Sequence, residues 1–150
     1  MRKLALLFVL CPMMSFGMDR LSALSMIETG NNDRMVGRAG EISRYQILKR
    51  EWRSVTSSTR YSDPEVAKAV TLTLVDRRVQ AFQSTYNRPP TNFEFYALWN
   101  APGQVLHRKV SRTVAERCRR YANLCEWEGV PTSIASKSKT PGSVLLCENR

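Results

Sequence analysis

Leu24-Ser25-Met26-Ile27-Glu28-Thr29-Gly30-Asn31-Asn32 closes an apolar helix with an acid and a Gly-Asn turn. At 100° per residue, Glu28 projects between Leu21 and Leu24, beside the helix's apolar face. A carboxyl in that place is partly desolvated and holds its proton more tightly than in water. A general acid needs that condition near neutral pH. Glutamate at a helix end is ordinarily a solvated surface residue, so the string acquires meaning only from what surrounds it.

Helical patterning dominates on both sides. The first helix is expected from about Asp19 to Thr29, followed by the turn Gly30-Asn31-Asn32-Asp33. Gly37 and Gly40 punctuate a loop, with room for a short ribbon at 37–43, that leads through Arg44-Tyr45-Gln46-Ile47 to a helix at Leu48–Val55 anchored by Trp52. Ser62-Asp63-Pro64-Glu65 is a strong helix start: a capping carboxylate, a proline suited to the first position and an acid at the positive end of the dipole. Val66, Ala69, Val70, Leu74 and Val75 then keep helical spacing, to about Thr85, before Asn87-Arg88-Pro89-Pro90 stops the helix. Thr91-Asn92-Phe93-Glu94 is a capping box. It opens a helix carrying Phe95, Tyr96, Leu98 and Trp99, which ends at Ala101-Pro102-Gly103. A last helix is expected from Ser111 to Glu126, with Val114, Ala115, Cys118, Ala122 and Cys125 inward. The fold class expected is all-α.

The ends of the chain differ from its middle. Arg2 and Lys3 precede the apolar run Leu4–Leu10, and Ser15 and Gly17 fit a cleavage site before Met18. That order reads as a secretory signal peptide over residues 1–17, too short to span a bilayer. The mature protein is then secreted or periplasmic, with no stable membrane insertion. Residues 18–128 form one domain, and residues 129–150 a Ser-, Lys- and Pro-rich flexible tail with an apolar patch at Val144–Cys147. Losing Arg2 and Lys3 takes the formal charge from +10 to +8. A small protein this basic is drawn to polyanions. Its Lys and Arg residues are scattered, so no nucleic-acid footprint stands out.

No CxxC pair occurs and His107 is the single histidine, so no metal site is expected. Cys118 and Cys125 on one helix lie roughly 10 Å apart along its axis, beyond the reach of a disulfide. Cys147 is positioned to pair with either one from the tail.

The string Ser25–Asn31 resembles the Glu-Ser-Gly stretch of lytic transglycosylases and goose-type lysozymes. Gly40-Glu41-Ile42-Ser43-Arg44-Tyr45-Gln46-Ile47 is similar to that family's Gly-Ala-x-Gly-Leu-Met-Gln-Ile loop, at the right spacing from Glu28. Leu98-Trp99-Asn100-Ala101-Pro102-Gly103 resembles its Ala-Tyr-Asn-Ala-Gly-Pro-Gly motif. The resemblance implies a lysozyme-like fold and peptidoglycan as substrate, cleaved between N-acetylmuramic acid and N-acetylglucosamine, with no cofactor. It makes Glu28 the catalytic acid and then base, and places Gln46 and Asn100 in the cleft, with Tyr96 and Trp99 as an apolar wall for sugar rings.

Three departures matter. Trp99 replaces a tyrosine whose phenol would reach the acid, and Tyr96, a turn earlier, is the residue able to supply one. Ser43 replaces a glycine of the loop. Glu41 replaces an alanine there and is expected as a solvated loop carboxylate paired with Arg38 or Arg44; facing the cleft instead, it is the candidate for positioning a water, and Asp33 is a weaker candidate. The resemblance thus implies a lytic transglycosylase. A lysozyme-type hydrolase using Glu41, a non-catalytic glycan-binding module, and a cationic exported protein acting on anionic surfaces are the other readings.

Overall fold

A computed structural model describes residues 17–107 and 109–127. The expected leader, apart from Gly17, the expected tail at 129–150 and any disulfide through Cys147 lie outside the described residues. Of those described, 61% are helical and none is in a strand. Six helices follow one another: α1 (Arg20–Thr29), α2 (Lys49–Arg53), α3 (Pro64–Tyr86), α4 (Asn92–Asn100), α5 (Pro102–Leu106) and α6 (Arg112–Glu126). None of them is long and apolar enough to cross a membrane.

The helix ends have identifiable chemical causes. The Asp19 carboxylate accepts from the Leu21 and Ser22 amides at the start of α1. Gly30, left-handed at φ 62°, ends it by returning its amide to Met26 O. Asp63 caps α3 through the Glu65 and Val66 amides, with Pro64 at the first turn. Thr91 and Glu94 form the reciprocal capping box of α4. Two elements depart from expectation. Pro102 not only stops α4 but opens the short α5, because its fixed φ suits a first helical position as well as a break. On α3 the buried face runs through Ala67, Val70, Thr71, Leu74, Val75 and Phe82, and Ala69 is exposed. Alanine is too small to mark a face from sequence.

α4 is the centre of the molecule. Five consecutive residues, Phe95 to Trp99, are buried, as a helix must be when it is apolar on all sides. It packs on α6, α5 and α3, and α6 packs in turn on α1. The α1–α6 contact is tied by the Tyr121 hydroxyl donating to Arg20 O at 2.9 Å and the Met18 amide donating to Leu124 O at 3.0 Å. The Tyr121 ring stacks on Phe95 at 5.7 Å and tilts against Tyr96 at 5.2 Å. Each such buried side chain contributes roughly 1.5–3 kcal/mol. Cys118 and Cys125 lie on the unbroken α6 and are both free thiols. With α1 and α4 both resting on α6, the last turn of α1 faces the middle of α4.

The loop between α1 and α2 is held by an antiparallel bridge between Ile42 and Ile47, later in the chain than the ribbon expected at 37–43. Inside the bridge, Ser43 (φ 66°) and Gln46 (φ 53°) take left-handed backbone. Glycine adopts it freely, whereas a residue with a side chain loses roughly 1–2 kcal/mol. Ser43 therefore keeps the tight turn despite its side chain.

Candidate active site

Glu28 leaves the last turn of α1 and turns inward, its side chain only 6% exposed. The end of α1 is pinned to the following loop. The Thr29 hydroxyl donates to Arg44 O at 2.9 Å, and the Ser25 hydroxyl donates to Asn31 Oδ1. Both carboxyl oxygens have donors. The Tyr96 hydroxyl reaches Oε1 at 2.7 Å, and Arg117 Nη2 reaches Oε2 at 2.9 Å. Tyr96 comes from α4 and Arg117 from α6, so three helices meet on one acid.

The forces on that acid oppose one another. Burial pushes the Glu28 carboxyl above its ordinary value; the Tyr96 hydrogen bond and the Arg117 charge pull it back, and the negative charge of Glu41 adds to the rise. Burial prevails. Arg117 is 38% exposed, so water screens much of its charge. Burial and the nearby Glu28 charge raise the Tyr96 phenol in turn, which keeps it protonated and a donor.

Glu28 opens on a cleft of about 480 Å³, whose walls include Arg38, Glu41, Gln46, Arg50, Arg78, Trp99, Asn100 and Arg117. That volume suits a small ligand or a few sugar units. Of the residues expected to act together, Glu28, Glu41, Gln46, Trp99 and Asn100 line this single cleft. Tyr96 does not form part of its wall. It is fully buried and supports Glu28 from beneath, supplying the phenol that Trp99 lacks. Trp99 is mostly core: its indole N–H donates to Tyr45 O at 3.2 Å, and the Arg78 guanidinium covers its ring at 4.8 Å. Asn100 ends α4, exposed in the cleft. Gln46 lines the cleft while its amide donates to Ser43 O at 3.3 Å.

Glu41 is not held by arginine as expected. Arg44 grips Asp33 instead, with two bonds at 2.5 and 2.8 Å. A planar guanidinium matches a carboxylate in that way, and Asp33 is thereby a structural turn residue. Glu41 Oε2 accepts from the Ala39 amide at 2.9 Å, and among the described residues Glu41 enters no ion pair. A Cβ at Gly37 would collide with the Glu41 carboxylate and the Gln46 amide oxygen. Glycine there lets both side chains lie across the loop.

Sequence reasoning missed Arg117 and Arg78. Arg117 shares a helical face with Val114 and Tyr121, three and four residues away, but nothing in the sequence separates it from Arg119 and Arg120. Arg78 bridges α3 to α2 through Glu51 at 2.5 Å and to α4 through Trp99 O at 2.8 Å.

The chain matches no protein-family model, no curated protein and no solved structure.

Proposed function

We propose that this chain is an exported, lysozyme-like enzyme that cleaves peptidoglycan as a lytic transglycosylase, with Glu28 as its acid and base. The observation that carries the reading is the Glu28 carboxyl itself: buried to 6% exposure, oriented by Tyr96, and opening on a cleft. An acid so placed stays protonated to higher pH than one in water. It donates to the glycosidic oxygen between N-acetylmuramic acid and N-acetylglucosamine as that bond breaks and positive charge grows on the sugar. The resulting carboxylate takes the proton of the muramyl 6-hydroxyl. That oxygen closes on the anomeric carbon, giving a 1,6-anhydro end with no water consumed. Asn100 and Gln46 offer amide groups for the sugars, and Trp99 an apolar contact.

Hydrolysis has one observation in its favour. Glu41 shares the cleft and carries no arginine partner among the described residues, so it is available to hold a water. On that reading the products carry free reducing ends and Glu41→Ala collapses activity.

Turbidity loss of a peptidoglycan suspension tests the proposal. Glu28→Gln is expected to lower the rate roughly 100- to 10,000-fold with the fold intact. A variant retaining half the activity would remove Glu28 from the role of acid.

A further inference from the structure

We infer that Arg117 is a clamp on Glu28: it holds the Oε2 side of the carboxylate in its charged form and so sets the pH at which the acid carries a proton into the cleft. This rests on reading Glu28 as the general acid, and it adds a positioning residue that never touches the scissile bond.

Tyr96 donates to Oε1 at 2.7 Å and Arg117 to Oε2 at 2.9 Å. A carboxylate accepts at both oxygens, whereas a carboxylic acid must donate from one of them. Guanidinium has five N–H donors and no acceptor, so Arg117 cannot receive that proton. A protonated Oε2 keeps one lone pair for the Arg117 N–H, so the guanidinium opposes protonation through its charge and its bond to the carboxylate, not by blocking the oxygen. Tyr96 is fully buried against Tyr121 and holds Oε1.

Arg117 is 38% exposed on a long side chain, and its guanidinium rests over the Tyr96 ring at 5.6 Å. It also lines the cleft, whereas Tyr96 does not. When Oε2 takes a proton from solvent, Arg117 keeps its own, and the pair passes from neutral to a single positive charge. The groups facing Glu28 from the packed elements are Tyr96 of α4, Arg117 of α6 and Glu41 of the loop. Of these only Arg117 favours the charged form by its own charge.

The test is a carbon-13 NMR titration of the Glu28 carboxyl in the whole protein without substrate, alongside the pH profile of kcat/KM on peptidoglycan. Arg117→Gln removes the charge and Arg117→Lys keeps it. The Arg117→Gln midpoint is expected to rise by about 1 unit, near the low end for loss of a neighbouring cation. The alkaline limb of kcat/KM moves with it, and Arg117→Lys returns both toward wild type. An unmoved midpoint in Arg117→Gln, with a melting curve like wild type, overturns the clamp whether or not glycan is cleaved. A moved midpoint with no cleavage by any of the three proteins supports the clamp and removes the catalytic reading instead.

Discussion

On Glu28 the unfavourable burial of a charge outweighs one hydrogen bond and one guanidinium, and the two residues that moderate it are open to separate substitution. Tyr96→Phe keeps the ring and deletes the donor to Oε1. That bond favours the carboxylate, so its loss moves the Glu28 midpoint upward, and the fall of kcat/KM with rising pH begins later. Leaving a buried oxygen without its donor also lowers stability by about 1–3 kcal/mol. Denaturant unfolding and a pH profile check the two effects, and a profile superimposable on wild type would contradict the first. Ser43 is the second residue at which local chemistry is opposed. Its left-handed backbone disfavours a side chain, yet its hydroxyl accepts from the Tyr45 amide at 3.3 Å. Ser43→Gly trades the strain against that bond and is expected to lie within about 1 kcal/mol of wild type. Ser43→Val adds a branched side chain at positive φ and loses about 2 kcal/mol or more. A valine variant as stable as the parent would show that the turn is not strained.

Helix boundaries were legible where the end residues themselves fix the cap, by a side chain in Asp63 with Pro64 and Thr91 with Glu94, and by left-handed backbone in Gly30 and Asn87. What escaped were features decided by the neighbour rather than by the helix. Ala67 rather than Ala69 faces the core because of what α3 packs against, and Arg117 meets Glu28 because α1 lies on α6. Glu41 was expected beside an arginine, but Asp33, eleven residues before Arg44, competes for that guanidinium and wins. The capping box of α4 offers a test at this scale. Arg88 and the Thr91 groups pull the Glu94 carboxyl down to about 2. Because the folded value lies below the unfolded one, its stabilisation is fully present above about pH 4.5 and is lost as pH falls toward 2. Arg88 is half-exposed, so the screened contribution is about 1 kcal/mol. Glu94→Gln should melt below wild type at pH 7 and converge with it near pH 2. An equal gap at both pH values would place the effect outside the carboxylate.

Across the whole molecule, α6 is the platform that assembles the site. It seats α1 and α4 and contributes Arg117, so residues 28, 96 and 117 converge although 68 and 89 positions separate the last two from Glu28. The motifs around Glu28, Gln46 and Asn100 could be read from sequence because each is local. The convergence of three helices on one carboxyl is a property of packing that no local string records. The cleft they form carries Arg38, Arg50, Arg78 and Arg117 against Glu28, Glu41 and Glu51, a positive surplus that suits an acidic glycan on a chain of formal charge +10. Mass spectrometry of the fragments released from purified peptidoglycan reads the reaction at its product. The wild-type protein is expected to release muropeptides ending in 1,6-anhydro-muramic acid, and Glu28→Gln none. Release of the same fragments by Glu28→Gln, or of none by the wild type, would contradict the proposed reaction.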